Sequence, residues 1–343
     1  MPNRRPTAQD VAKHAGASRS AVSMVMNGNA DGNVSPDMQE RIRRAAAELE
    51  YTPHPIASGL RRQRSRMIGI VTDEAASSPF AGRMLAGASQ AAAGHGYLTV
   101  IADAGGPAAD TTHFIDELRR RRVDGLILAT QSLRTIVVPD GLRLQPSVLA
   151  NCRDAAGTMG AIIPDEVRGG REATEHLISL GHRRIVWIGG GVDVDARPAR
   201  IRGFQAALAA AGLPPGEVVE AGWDIDDGFR AAEALFAPEN GPRPDAVFCA
   251  SDRVATGALL AARTAGLDVP GDISIMGYDD QRHLADATVP GLTTMALPHE
   301  GMGRVAAERI IAALDSNAEI GAETTLLECP LVVRGSTGPA ARA

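Results

Sequence analysis

The sequence predicts a small all-α head followed by a two-lobed α/β core built on doubly wound parallel sheets. Three observations carry this expectation. Capped helix starts crowd residues 1–52, two runs of alternating apolar and helical stretches fill 67–340, and the charge changes sign between the two parts. Residues 1–66 hold 11 Arg and Lys against 6 Asp and Glu, leaving 24 against 35 for the remainder. A cationic end of +5 therefore precedes an anionic body of −11 inside a chain of net charge −6. A phosphate backbone attracts the first and repels the second, so the asymmetry points to nucleic acid at the N-terminus.

The head is read from its helix signals. Thr7 and Asp10 open a first helix, with a hydroxyl placed to cap and a carboxylate near the positive end of the dipole. Val11, Ala12 and Ala15 follow at helical spacing, and Gly16 stops the run. Ser18 starts a second helix to Met26, with Ala21, Val22 and Val25 on its inner face. Ser35-Pro36, a capping serine before proline at the first helical position, starts a third helix that runs to about Glu50 and buries Ile42, Ala45 and Leu49. Two short helices around a glycine-containing turn, braced by a third, fit a helix-turn-helix unit, and on periodicity alone fit a small structural three-helix cap equally well. Residues 53–66 are too short to hold a helix alone, and Gly59 weakens them further.

In the body, strands are expected at Met67–Val71, Leu98–Ala102, Leu126–Ala129 and Ser147–Ala150, with helices near Pro79–Gly94 and Asp110–Arg121. The pattern repeats with strands at Arg184–Ile188, Val218–Gly222, Ala246–Ala250 and Ile273–Met276. Its helices lie near Val167–Leu180, Pro198–Ala211, Gly228–Phe236 and Arg253–Ala265. Strand–helix alternation with short loops implies parallel sheets covered on both faces, and two runs imply two lobes with a cleft at the carboxyl ends of the strands.

Several function classes are disfavoured. No apolar run approaches the roughly 18 residues of a membrane span, so no membrane partner is expected. Met1-Pro2-Asn3-Arg4-Arg5 lacks the apolar centre of a secretion signal, which makes the cytoplasm the expected compartment. Cys152, Cys249 and Cys329 lie far apart, with no CxxC pair and no histidine at zinc spacing, so neither a metal centre nor a disulfide framework is expected. Gly189-Gly190-Gly191 lacks both GxGxxG and a Lys-Ser/Thr ending and reads as a turn. No Ser-His-Asp or Cys-His set is present, and adjacent Asp279 and Asp280 point in different directions, so no catalytic residue is named and an enzyme is the weaker reading.

Asp10-Val11-Ala12-Lys13-His14-Ala15-Gly16-Ala17-Ser18, then Ala21-Val22-Ser23 and Asn27, closely resembles the head of the lactose-repressor (LacI/GalR) family of transcription factors. Val34-Ser35 leading to Leu49-Glu50-Tyr51-Thr52-Pro53 does so too. Further along, Leu180-Gly181-His182-Arg183-Arg184-Ile185 and Ser251-Asp252-Arg253-Val254-Ala255 resemble the same family. So does Gly266 through Asp280, and the likeness spans residues 6 to about 338. It implies a helix-turn-helix DNA-binding domain at 1–52, a hinge at 53–66 and a periplasmic-binding-protein-like core at 67–340 for effector binding and dimerisation. Lobe 1 would comprise about 67–162 and 293–322, and lobe 2 about 163–292 and 323–340.

The resemblance also implies roles. Thr7, Ser18, Arg19, Ser20, Ser23, Met24, Asn27 and Tyr51 would form the DNA face, continued in the hinge by Ile56, Leu60 and Arg61. Arg19 suits a bidentate grip on guanine O6 and N7, and Ser20 pairs with several bases. Leu60 would wedge into the minor groove at the operator centre. Arg200 and Asp279 would hold the effector from opposite sides, Trp223 would stack on it, and Asn151, Asp165, Ser251 and Phe80 complete the expected set.

This chain departs from the family at four places. Met24 offers only apolar contact, and the solvated loop Gly28–Asn33 is about two residues longer. Ser251 stands where relatives often carry asparagine, and Ala81 where many carry an aromatic residue. The two pocket changes argue against a stacked nucleobase and for a sugar or polyol. The resemblance implies a homodimeric repressor of double-stranded operator DNA under a small-molecule effector, without a cofactor; an activator is the alternative. A transport-type sugar-binding protein would have no use for residues 1–66, and the absence of a C-terminal leucine heptad gives no support to a coiled-coil tetramer.

Overall fold

The computed structural model describes residues 6–51, 64–74, 78, 80–106, 110–191 and 194–340. They form two units, divided between Met67 and Ile68. Ile56, Leu60, Arg61 and most of the expected hinge lie outside the described residues.

In the first unit, α1 (Ala8–Ala15) begins with a capping box: Thr7 Oγ1 accepts from the Asp10 amide while Asp10 Oδ2 accepts from the Thr7 amide at 2.8 Å. Gly16 ends it at φ 60°, a left-handed turn that lets Arg41 Nη2 donate to the Ala15 carbonyl at 2.6 Å. The second helix, α2 (Arg19–Met26), is capped by Ser18 Oγ, which accepts from the Ala21 amide at 3.1 Å. The third, α3 (Pro36–Glu48), starts on Pro36; the Ser35 hydroxyl makes no capping bond. Val11, Ala12, Ala15, Val22, Val25, Ile42, Ala45 and Ala46 form the core, whereas Ala21 and Leu49, expected inside, are half-buried. The Gly28–Asn33 loop also differs from expectation. It is not fully solvated, because Asn33 and Val34 amides bond to the Ala30 carbonyl at 3.0 and 2.9 Å and fold the Ala30 methyl into the core.

The second unit holds two six-stranded sheets. Sheet 1 combines β1 (Met67–Thr72), β2 (Leu98–Asp103), β3 (Gly125–Ile136), β4 (Ser147–Asp154), β5 (Ala161–Pro164) and β11 (Thr324–Leu327) in the order β11-β5-β4-β3-β1-β2. Sheet 2 combines β6 (Ile185–Ile188), β7 (Val218–Val219), β8 (Ala246–Cys249), β9 (Ser274–Asp279), β10 (Thr293–Ala296) and β12 (Leu331–Val332) in the order β12-β10-β9-β8-β6-β7. The edge strand β12 runs antiparallel to β10, so sheet 2 is not wholly parallel. The strand order reverses between β1 and β3 in one sheet and between β6 and β8 in the other. Such switch points open crevices at the carboxyl ends of strands.

The crossings fall later than expected. Thr293–Ala296 pairs in register with Met276–Asp279 of sheet 2, and Thr324–Leu327 pairs with Ala161–Pro164 of sheet 1. The chain thus leaves lobe 2 only after Ala296 and returns only after Leu327. Composition shifts mark loops, and these boundaries are set by strand pairing.

Among the described residues, seven helices cover the sheets: α4 (Ala81–Gly94), α5 (Thr112–Arg120), α6 (Glu166–Ser179), α7 (Ala196–Ala210), α8 (Ile225–Phe236), α9 (Asp252–Thr264) and α10 (His299–Ser316). Three pairs meet through reciprocal glycines. A Cβ on Gly87 of α4 would overlap the Glu300 carbonyl, and one on Gly303 of α10 the Met84 carbonyl. Gly170 and Gly203 do the same for α6 and α7, and Gly228 and Gly257 for α8 and α9.

Candidate nucleic-acid interface and ligand cleft

At 3.6 residues per turn, Arg19, Ser20, Ser23, Met24 and Asn27 share an arc of about 140° on α2, opposite buried Val22 and Val25. Arg19 and Ser20 are exposed, Ser23, Met24 and Asn27 half-buried. Arg19 has no ion pair among the described residues. Asn27 Nδ2 donates to the Ser23 carbonyl at 2.6 Å, which fixes its amide along the helix. Thr7 is exposed but engaged in its capping box, and Ser18 likewise caps its helix. Tyr51 packs half-buried against the head core. The first turn of α2 therefore presents a guanidinium and a hydroxyl to solvent beside unsatisfied helix N–H groups, which suits a polyanion with base edges.

In the core, Arg200 is 3% exposed, with Nε and Nη2 donating to the two Glu166 oxygens at 2.7 and 2.8 Å. Nη1 donates to the Ala250 carbonyl at 2.6 Å and lies 3.8 Å from Asp279 Oδ1. The guanidinium sits 3.6 Å over the Tyr278 ring. The sequence reading gave this fork to the effector; most of it is instead spent on Glu166, which sequence reasoning missed. Asp279 ends β9 at φ 117°, a backbone region that side chains rarely adopt. Burial pushes its carboxyl well above the usual range, and Arg200 opposes that shift.

The other expected ligand groups are placed unevenly. Ser251 Oγ caps α9 through the Val254 amide at 3.2 Å and donates to the Trp223 carbonyl at 3.3 Å. Trp223, half-buried, has its Nε1 beside Gly191. These residues join Arg200 and Asp279 at the carboxyl ends of sheet 2. Asp165 caps α6 by accepting from the Arg168 amide at 3.1 Å. Asn151, at φ 58°, spends both amide hydrogens on the Thr130 and Gln131 carbonyls, each at 3.0 Å, bracing the bulge in β3. Past that bulge β3 reaches lobe 2, where Thr135 Oγ1 donates to Asp195 Oδ2 at 2.7 Å. Asp73 pairs with Arg134 at the end of β1, its carboxyl raised by burial against the lowering pull of Arg134.

Phe80 stacks on His299, ring centroids 5.2 Å apart and 17° from parallel. His299 is 1% exposed, and burial pushes its imidazole down to about 3. The unfolded chain protonates this group near 6.5, so between pH 6.5 and about 3 the unfolded state holds the extra proton and stability rises with pH. His176 and His182 act in the same direction, while the raised carboxyls of Asp252 and Asp279 oppose it. His299→Phe should flatten the acid limb by up to about 1.4 kcal/mol per pH unit. Urea midpoints measured from pH 4 to 6.5 check this, and an unchanged slope contradicts it.

Nothing among the described residues calls for metal or nucleophilic chemistry. Asp224, Asp226 and Asp227 cluster, but they are exposed or half-buried and tied to Arg230 and Arg253. Cys152 and Cys329 are pushed up to about 12 by burial, and Cys249 is raised for the same reason. No helix among the described residues is long and apolar enough to cross a membrane.

Comparison with known proteins places these features. Residues 7–54 match the lacI family of bacterial regulatory proteins, and residues 174–337 match a periplasmic binding protein-like domain. The ribose operon repressor of Haemophilus influenzae is 33% identical, covering 96% of this chain and 98% of its own. A crystal structure of the Lac repressor dimer bound to operator and the anti-inducer ONPF is 27% identical, with TM-score 0.83 over 98% of this chain and 100% of that one. The complex of the transcriptional regulator CelR with cellobiose is 31% identical, with TM-score 0.67 over 97% and 100%. With a relative this similar across nearly its full length, the chain belongs to the lacI family of bacterial regulatory proteins.

Proposed function

We propose that this protein is a homodimeric, cytoplasmic transcriptional repressor without enzymatic activity. Its affinity for double-stranded operator DNA is set by a sugar or polyol bound between the core lobes. Residues 1–52 read DNA, 53–66 act as the hinge, and 67–340 bind effector and dimerise. The observation that carries the reading is the exposed polar side of α2 on a chain whose core holds two sheets, each with its own switch point. Relatives support it: one represses a ribose operon, one holds operator DNA as a dimer and one holds cellobiose. A change in lobe angle on effector binding moves the hinge segments, and the coupling is reciprocal, so operator alters effector affinity by the same factor.

Selection of bound sequences from a random duplex pool at physiological salt tests this reading. A pseudo-palindrome with a flexible central step is expected; weak, salt-sensitive binding with no enriched sequence counts against it. On the selected operator, Arg19→Ala should cost about 1–3 kcal/mol and relax preference at one base pair per half-site. A uniform loss over all sequences would make Arg19 a phosphate contact.

A further inference from the structure

His299 is a buried imidazole with no hydrogen-bond partner on either nitrogen. Leaving such a group unsatisfied costs about 1–3 kcal/mol, so a buried ring in this state in a cleft marks a place where something else completes it. The ring lines a cavity of about 10 Å³ together with Phe80, Met84, Leu85, Thr130 and Gln131. That volume is at the lower limit for one water-sized group, which matches a single hydroxyl. The walls are apolar apart from Thr72, Thr130, Gln131 and His299, and the Thr130 hydroxyl already donates to the Asn151 carbonyl at 2.7 Å.

We infer that His299 is a specificity-determining ligand contact, reading one hydroxyl of an uncharged effector from lobe 1, opposite the Arg200–Glu166–Asp279 group of lobe 2. A neutral imidazole carries a donor on one nitrogen and an acceptor on the other, and a hydroxyl, which both donates and accepts, pairs with either one. Phe80, stacked on the ring, fixes its plane. The charged pairs along the cleft are matched within the protein, Arg200 with Glu166 and Arg134 with Asp73, so no uncompensated cation of either pair is left for an anionic ligand. After burial, the coulombic effect of Arg83, near the start of α4, adds to what keeps the imidazole neutral. His299 is also the first residue of α10, immediately after the second crossing, with its amide bonded to the Leu297 carbonyl at 2.9 Å. A hydroxyl seated there holds the crossing segment itself.

The inference rests on the cleft being the effector site, and the test separates the two. Isothermal titration of the full chain uses D-ribose, D-xylose, D-glucose, ribitol and cellobiose as uncharged probes, with D-ribose 5-phosphate and D-gluconate as charged ones. An uncharged probe is expected to bind, and one of its monodeoxy analogues to bind at least tenfold more weakly. His299→Phe should bind parent probe and that analogue equally, and His299→Gln, which keeps a donor and an acceptor, should recover part of the preference. If the parent protein binds an uncharged probe and His299→Phe keeps every hydroxyl preference, the role of His299 is overturned and the effector reading stands. Binding of the charged probes alone overturns the uncharged class and points to an anion at Arg83. Binding of none overturns the effector reading and this inference with it.

Discussion

Glu166→Ala is expected to destabilise the core by about 3–5 kcal/mol, the range for removing one partner of a buried ion pair. Both side chains are 3% exposed, so the Arg200 guanidinium that loses its carboxylate cannot turn to water. What remains to it is the Ala250 carbonyl, the face of Tyr278 and Asp279 at 3.8 Å. Glu166→Gln keeps one acceptor and should cost less. Replacing both residues by methionine should recover most of the loss, because the penalty lies in the orphaned charge more than in the missing attraction. Trp187 and Trp223 are the two tryptophans of the chain and both belong to lobe 2, so tryptophan-detected urea unfolding reports this region directly. A loss below 1 kcal/mol for Glu166→Ala would mean that water reaches the guanidinium.

That pair also shows where sequence reading stops. Arg200 is legible as a polar residue in a helix beside the cleft, and Asp279 as an acid at a strand end. Their partner Glu166 is not, because it lies 34 positions from Arg200 and meets it only when α6 and α7 pack. His299 carries no motif either; its lack of partners is a property of burial, visible only once α10 and Phe80 enclose it. The head was more readable, since caps and turns are local chemistry: Thr7, Ser18 and Gly16 act within a few residues of themselves. The same local logic misjudged Ala30, whose fate depends on a turn closing over the core, and Ser35, whose proline neighbour sets the helix start without the hydroxyl. Strands β5, β11 and β12 are only two to four residues long, too short for periodicity to register, and their sheet membership decides where the lobes exchange chain.

Gly170→Ala should cost the core about 1–3 kcal/mol by overpacking, although alanine favours a helix interior over glycine by about 1 kcal/mol. The reason is the reciprocal contact between α6 and α7. A Cβ at Gly170 would overlap the backbone of Arg200, and on the facing side Gly203 already leaves no room against the Val167 carbonyl. Neither helix can yield alone, so the pair must separate. Separation moves the backbone that carries Arg200 away from the first turn of α6, where Glu166 begins the helix, and stretches the two hydrogen bonds between them. The substitution should therefore weaken effector binding as well as stability, although Gly170 itself faces helix backbone. Gly82→Ala is the control, for its added methyl meets nothing within 4 Å, and it should be neutral or slightly stabilising. If Gly170→Ala matches that control in urea midpoint and in binding of the best uncharged probe, the two helices have slack, and the position of Arg200 is set by its side-chain bonds alone.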